Sequence, residues 1–124
     1  MKKVINTKNA PSAIGPYSQG IIINNMVYTS GQLPINVKSG EMPKTIEEQT
    51  RESLMNVKAI VEEAGSSLQN IIKTTVFLSD MNNFGAMNEV YKEFFTEDYP
   101  SRSAIEVARL PKDALVEVEV VAVI

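Results

Sequence analysis

The chain has 124 residues, with 12 Lys plus Arg against 15 Asp plus Glu, which suits one domain of about 100 to 150 residues spanning 1–124 and leaves no length for a second core. It contains no His and no Cys, which excludes imidazole and thiolate catalysis, disulfides and thiolate metal sites, so no metal centre is expected. The formal charge of −3 and a pI near 5.0 offer no phosphate-binding surface, and no nucleic-acid partner is expected.

After Met1-Lys2-Lys3 the apolar pair Val4-Ile5 is cut short by Asn6. No signal-like apolar stretch follows the charges and no 18-residue apolar run occurs later, so a soluble cytoplasmic protein with no membrane contact is expected. Ile21-Ile22-Ile23, Asn24-Asn25 and Met26–Ser30 predict two strands joined by a tight hairpin before Gly31. Lys38-Ser39-Gly40 marks a further turn.

Thr45 with Glu48 forms a capping-box signature, and Ile46, Thr50, Leu54, Val57, Val61 and Ala64 recur at helical spacing before Gly65. These signals predict a helix over 45–64. The β-branched and aromatic run Lys73–Ser79 predicts a strand. Phe84, Met87, Tyr91 and Phe94 then predict a helix from Asn82 or Asn83 to Thr96, with those four side chains packed on a sheet.

Arg102–Arg109 alternates, with Ser103, Ile105 and Val107 opposite Arg102, Ala104, Glu106 and Ala108. Leu115–Ile124 alternates too, with Val116, Val118, Val120, Ala122 and Ile124 opposite Leu115, Glu117, Glu119, Val121 and Val123. If Leu110-Pro111-Lys112-Asp113 closes a hairpin between them, matching the apolar faces places Arg102 and Ala104 beside Glu117 and Glu119, away from the helices. The expected fold is α+β, a single mixed sheet with both helices on one face. Leu115, Val121 and Val123 would leave an apolar patch on the other face, which predicts a homo-oligomer with the polar cluster at its interface.

Further motifs carry a resemblance. They are Ala13–Gly20 (AIGPYSQG), Thr29–Pro34 (TSGQLP), Lys73–Leu78 (KTTVFL), Asn88–Tyr91 (NEVY), and Arg102-Ser103 followed by Glu106–Ala114 (EVARLPKDA). In register over nearly the whole chain, these segments make it similar to the reactive intermediate deaminase (Rid or YjgF) family. The resemblance implies a chorismate-mutase-like subunit, a homotrimer with clefts at the subunit interfaces, and cofactor-independent hydrolysis of 2-iminobutanoate and 2-iminopropanoate to 2-keto acids and ammonia. It implies that Arg102 binds the substrate carboxylate and Glu117 holds the water, with Tyr17, Ser30, Gly31 and Asn88 lining the cleft. Ala104 matches a position often occupied by Cys, where the backbone carbonyl would accept from the imine nitrogen. A guanidinium fork suits a carboxylate better than a Lys ammonium does, and without His a carboxylate is the natural group to orient water. The alternative is a non-catalytic trimer that binds small carboxylates as a regulator. A ribonuclease reading conflicts with the missing His and the acidic charge.

Overall fold

A computed structural model describes residues 1–124. The strands are β1 (Lys3–Ile5), β2 (Gly20–Ile23), β3 (Met26–Thr29), β4 (Ile71–Leu78), β5 (Ser101–Glu106) and β6 (Val116–Val123), with helices α1 (Ile46–Glu63) and α2 (Phe84–Phe94). They form one mixed sheet in the order β1-β2-β3-β6-β4-β5, with β4 and β5 parallel and all other pairs antiparallel. Both helices cover one face of it, as expected, and no helix is long and apolar enough to cross a membrane.

The predicted punctuation of α1 is present. Thr45 Oγ1 accepts from the Glu48 N–H at 3.1 Å, and its hydroxyl donates to Glu48 Oε1 at 3.0 Å. At the other end Gly65 takes φ +86, the Gly65 N–H donates to the Glu62 carbonyl, and the Ser66 N–H donates to the Val61 carbonyl. These two bonds are the Schellman pattern, which a residue with a Cβ resists. Leu54, Val57, Ile60 and Val61 pack on Val27, Val76, Val116, Val118, Val120 and Ala122 of the sheet.

Beside this apolar stripe, α1 carries a buried polar seam that its periodicity did not announce. Ser53 Oγ donates to the Gln32 carbonyl, Asn56 to the Leu33 and Ile35 carbonyls, and Gln49 to the Pro43 carbonyl while accepting from the Leu115 N–H. The long connection after Gly31 therefore has several of its backbone carbonyls satisfied by the helix, which fixes it beyond its single sheet bridge at Gln32–Val118.

The C-terminal strand behaves as its alternation predicts, with Val116, Val118, Val120 and Ala122 buried, although Ile124 lies beyond β6 and half exposed. The expected hairpin between Arg102–Arg109 and Leu115–Ile124 does not form. β6 sits inside the sheet with β3 on one side and β4 on the other, so β5 pairs in parallel with β4 at the edge, after the crossover through α2. The register aligns Arg102 with Thr74 and Val120, and Ala104 with Val76 and Val118, all on the helix-covered face. Ser103 and Ile105, expected to face the helices, align with Glu119 and Glu117 on the open face. The faces of Arg102 and Glu117 are thus opposite, contrary to the sequence expectation, because strand order and not the local turn decides the register.

The open face is rich in apolar side chains. Val4, Ile21, Tyr28 and Val121 form one cross-strand row, with Phe77 and Ile105 beyond it, and Val4, Tyr28 and Ile105 are 61%, 46% and 46% exposed.

Candidate active site

Arg102, Asn88 and Ala104 come together at the β5 edge. Arg102 rises from β5 toward α2, where its Nη1 donates to Asn88 Oδ1 at 2.7 Å and its guanidinium carbon lies 4.7 Å from the Tyr91 ring centroid and 5.3 Å from that of Phe84. Phe84, Asn88 and Tyr91 occupy positions i, i+4 and i+7 of α2, so one helix face holds the guanidinium. The helical spacing predicts sheet packing for Phe84 and Tyr91. Tyr91 does pack, 6% exposed, but both rings also flank Arg102.

The protein has three arginines. Arg51 pairs with Glu93 and Arg109 with Asp113, whereas Arg102 has no carboxylate partner. Its fork keeps donors free beyond the bond to Asn88. The Val107 N–H donates to the Leu78 carbonyl, which fixes the odd-numbered residues of β5 as those bonded to β4. The N–H and C=O of Arg102 and Ala104 therefore point off the unpaired sheet edge. Glu106 accepts from the Met81 N–H at 2.8 Å and ties the strand to the turn that begins α2.

Tyr17, Ser30, Gly31 and Glu117 form a second group around the end of β3. Between the Tyr28–Val121 and Gln32–Val118 pairs there are three residues along one strand and two along the other, a one-residue bulge. There the Val120 N–H donates to Thr29 Oγ1. Ser30 Oγ donates to the Ser18 carbonyl at 2.6 Å and the Ser30 N–H to the Gln19 carbonyl, so Ser30 ties the loop bearing the half-exposed Tyr17 to the strand end. Buried Gln19 anchors the same loop through the Thr7 N–H and the Thr7 and Pro11 carbonyls, a role no sequence motif disclosed.

Glu117 lies directly over Gly31. A Cβ built on Gly31 would sit 2.8 Å from both Cδ and Oε1 of Glu117. Gly31 has no left-handed φ, so the carboxylate above it, and not backbone conformation, requires glycine there. Glu117 forms no ion pair within the chain. Burial foremost, then the like charge of Glu119, hold its carboxyl above the ordinary range. Arg109, a conceivable partner for Glu119, instead bonds Asp113 in a bidentate pair.

The two groups do not meet within one chain. β4 separates β5 from β6, a distance of about 10 Å across two strand spacings, and Arg102 and Glu117 leave the sheet on opposite faces. Two surface concavities of about 590 and 570 Å³ lie along the solvent side of α1 and include none of the seven residues.

Comparison with known proteins adds an independent line. The endoribonuclease L-PSP family model matches residues 7–124. The 2-iminobutanoate/2-iminopropanoate deaminase of Escherichia coli strain K12 is 55% identical over 126 residues, covering 99% of this chain and 98% of its own. Among solved structures, E. coli TdcF with bound serine is 54% identical with a TM-score of 0.95, covering 98% of each chain. Yeast Mmf1 is 42% identical with a TM-score of 0.95, covering 99% of this chain and 98% of its own.

Proposed function

The chain belongs to the endoribonuclease L-PSP family, the Rid or YjgF proteins, and from that premise we propose that it is a hydrolase of 2-imino acids whose active site is completed by a second copy of itself. The activity is conversion of 2-iminobutanoate and 2-iminopropanoate to 2-keto acids and ammonia, the substrates named for its 55% identical relative. The observation that carries the site assignment is Arg102, a partly buried cation without a carboxylate of its own, held at the sheet edge with free donors. A 2-imino acid supplies the missing carboxylate, and the outward carbonyl of Ala104 suits its nitrogen. That a 54% identical relative holds serine, with a carboxylate and an amine on one carbon, fits the same pair of contacts.

In this mechanism Arg102 binds the carboxylate and the Ala104 carbonyl accepts from the protonated imine nitrogen. A water held by Glu117 adds to C2, giving its proton to the carboxylate. The resulting carbinolamine receives that proton on nitrogen, and as the C–N bond breaks the hydroxyl gives its proton to the Glu117 carboxylate, leaving the 2-keto acid and ammonia. Such imines hydrolyse unaided, so positioning and modest proton transfer, on the order of 10²- to 10⁴-fold for the latter, are sufficient without a cofactor.

The opposite orientations of Arg102 and Glu117 support a site in which the two come from different copies. The apolar open face around Glu117 is the surface available for that contact. A homotrimer with a cleft at each interface closes this arrangement, and the protein acts in the cytoplasm beside the dehydratases that release these imines. Asn88 and Ser30 serve the site by holding Arg102 and the Tyr17 loop respectively. A ribonuclease is the less favoured reading, since the net charge is −3 and the chain has no His to serve as general acid or base.

The test generates 2-iminobutanoate with a threonine dehydratase in the presence of semicarbazide. Wild-type protein diverts the imine from the trapped adduct to 2-ketobutyrate, and Arg102→Ala does not. Binding of 2-ketobutyrate without acceleration would replace the hydrolase by a carboxylate-binding regulator.

A further inference from the structure

Arg102 is a long side chain of four rotatable bonds, yet it is surrounded. Besides the bond to Asn88 Oδ1, the guanidinium carbon faces two rings of α2, at 4.7 Å from the Tyr91 centroid and 5.3 Å from that of Phe84. The Tyr91 ring is itself fixed. Its hydroxyl meets Thr74 Oγ1 at 2.8 Å, its ring leans on Phe95 at 4.6 Å between centroids, and it is almost wholly buried. Thr74, fully buried, is the residue of β4 that stands directly beside Arg102 in the sheet. A loop of contacts therefore runs from the β4 backbone through Thr74 and Tyr91 to the guanidinium and back along β5.

Neither ring carries a formal charge, so they hold the cation without consuming its charge, and only Asn88 accepts one of its N–H groups. An acidic residue in their place would order Arg102 as well but would compete with a substrate carboxylate. We propose that Phe84 and Tyr91, with Thr74 acting through Tyr91, are positioning residues that keep Arg102 ordered and unpaired before substrate arrives. This inference rests on the assignment of Arg102 as carboxylate anchor. Ordering the fork in advance removes a cost from binding, so its loss weakens substrate and transition state together.

Two perturbations separate this role from simple packing. Phe84→Leu keeps an apolar side chain but removes the ring face, and Phe84→Tyr restores a ring. The double variant Tyr91→Phe/Thr74→Val removes both hydroxyls at once, leaving no buried group unpaired. Phe84→Leu raises KM for the imine about 2- to 30-fold with kcat nearly unchanged, and Phe84→Tyr returns KM toward wild type. The double variant, read by the same split, raises KM several-fold and serves as the test should Phe84→Leu fold poorly. In an Arg102→Lys background, which keeps a cation but has no planar fork to order, Phe84→Leu changes the residual kcat/KM little. A penalty of equal size with and without Arg102 would overturn the clamp while leaving the anchor in place. Wild-type turnover by Arg102→Ala alone would instead overturn the anchor.

Discussion

Replacing Gly31 by alanine separates stability from activity more cleanly than any other single change in this protein. The new Cβ would stand 2.8 Å from Cδ and Oε1 of Glu117 and 3.1 Å from its Cγ. Ordinary contact begins near 3.4 Å, so the carboxylate must retreat by at least about 0.6 Å or rotate to another conformer. The fold loses little by this, because the atoms displaced are the free end of a side chain without an ion pair, and Gly31 needs no left-handed φ. Alanine also narrows the unfolded ensemble, which contributes about 0.4 to 1 kcal/mol toward stability. The melting temperature should therefore stay within a few degrees of wild type in either direction. Catalysis should respond differently, since displacement of a group by about 1 Å can cost about 10²-fold in rate. The assay is imine diversion to 2-ketobutyrate alongside thermal melting of the same preparation. Wild-type kcat in a folded Gly31→Ala protein would refute the placement of Glu117 over the reacting carbon.

The remaining expectations concern proton affinity and assembly. Burial and Glu119 raise the folded Glu117 carboxyl above its ordinary 4.5, so only between 4.5 and the raised value does the folded form hold a proton that the unfolded chain has released. Stability therefore falls as pH rises from 4.5 through the raised value, and Glu117→Gln should gain on wild type above that window and not below it. Glu119→Gln removes the second cause of the shift and should move the acid limb of kcat/KM to lower pH, as read from a pH–rate profile; an unmoved limb would show that Glu119 does not act on Glu117. Val121→Asp places a charge in the apolar row of the open face beside Tyr28 and Lys73. It should yield smaller species by light scattering with the helical circular dichroism retained and imine hydrolysis lost, whereas an active protein of unchanged size would locate the interface elsewhere.

Local chemistry made some elements readable and left others closed. Thr45 and Gly65 delimit α1 because capping and left-handed termination are properties of a few neighbouring residues. The alternation of β6 was equally legible, since one face of that strand must pack against helices. The partner of β5 was not, because a turn at 110–113 is a local signal while the true constraint is that β3 and β4 occupy both sides of β6. The strand–helix–strand order of β4, α2 and β5 was the available signal, for a helix between two strands is the usual crossover of a parallel pair. The short edge strand β1 carried too few residues to stand out. Of the site, the residue identities came from motif resemblance, while the clamp around Arg102 and the carboxylate over Gly31 depend on contacts between segments far apart in sequence. The wrong face for Arg102 had a consequence beyond topology: it placed Arg102 and Glu117 side by side in one subunit, where the observed register puts them on opposite faces and leads to the proposal of a site shared between two.

That sharing is open to direct measurement by mixing Arg102→Ala protein with Glu117→Gln protein, each inactive alone, under conditions that exchange subunits. In a cyclic assembly with random exchange, about one quarter of the interfaces should join an intact Arg102 to an intact Glu117, and imine hydrolysis should return to about that fraction of wild type. Mixed oligomers verified by mass that remain as inactive as their parents would contradict a site built from two chains.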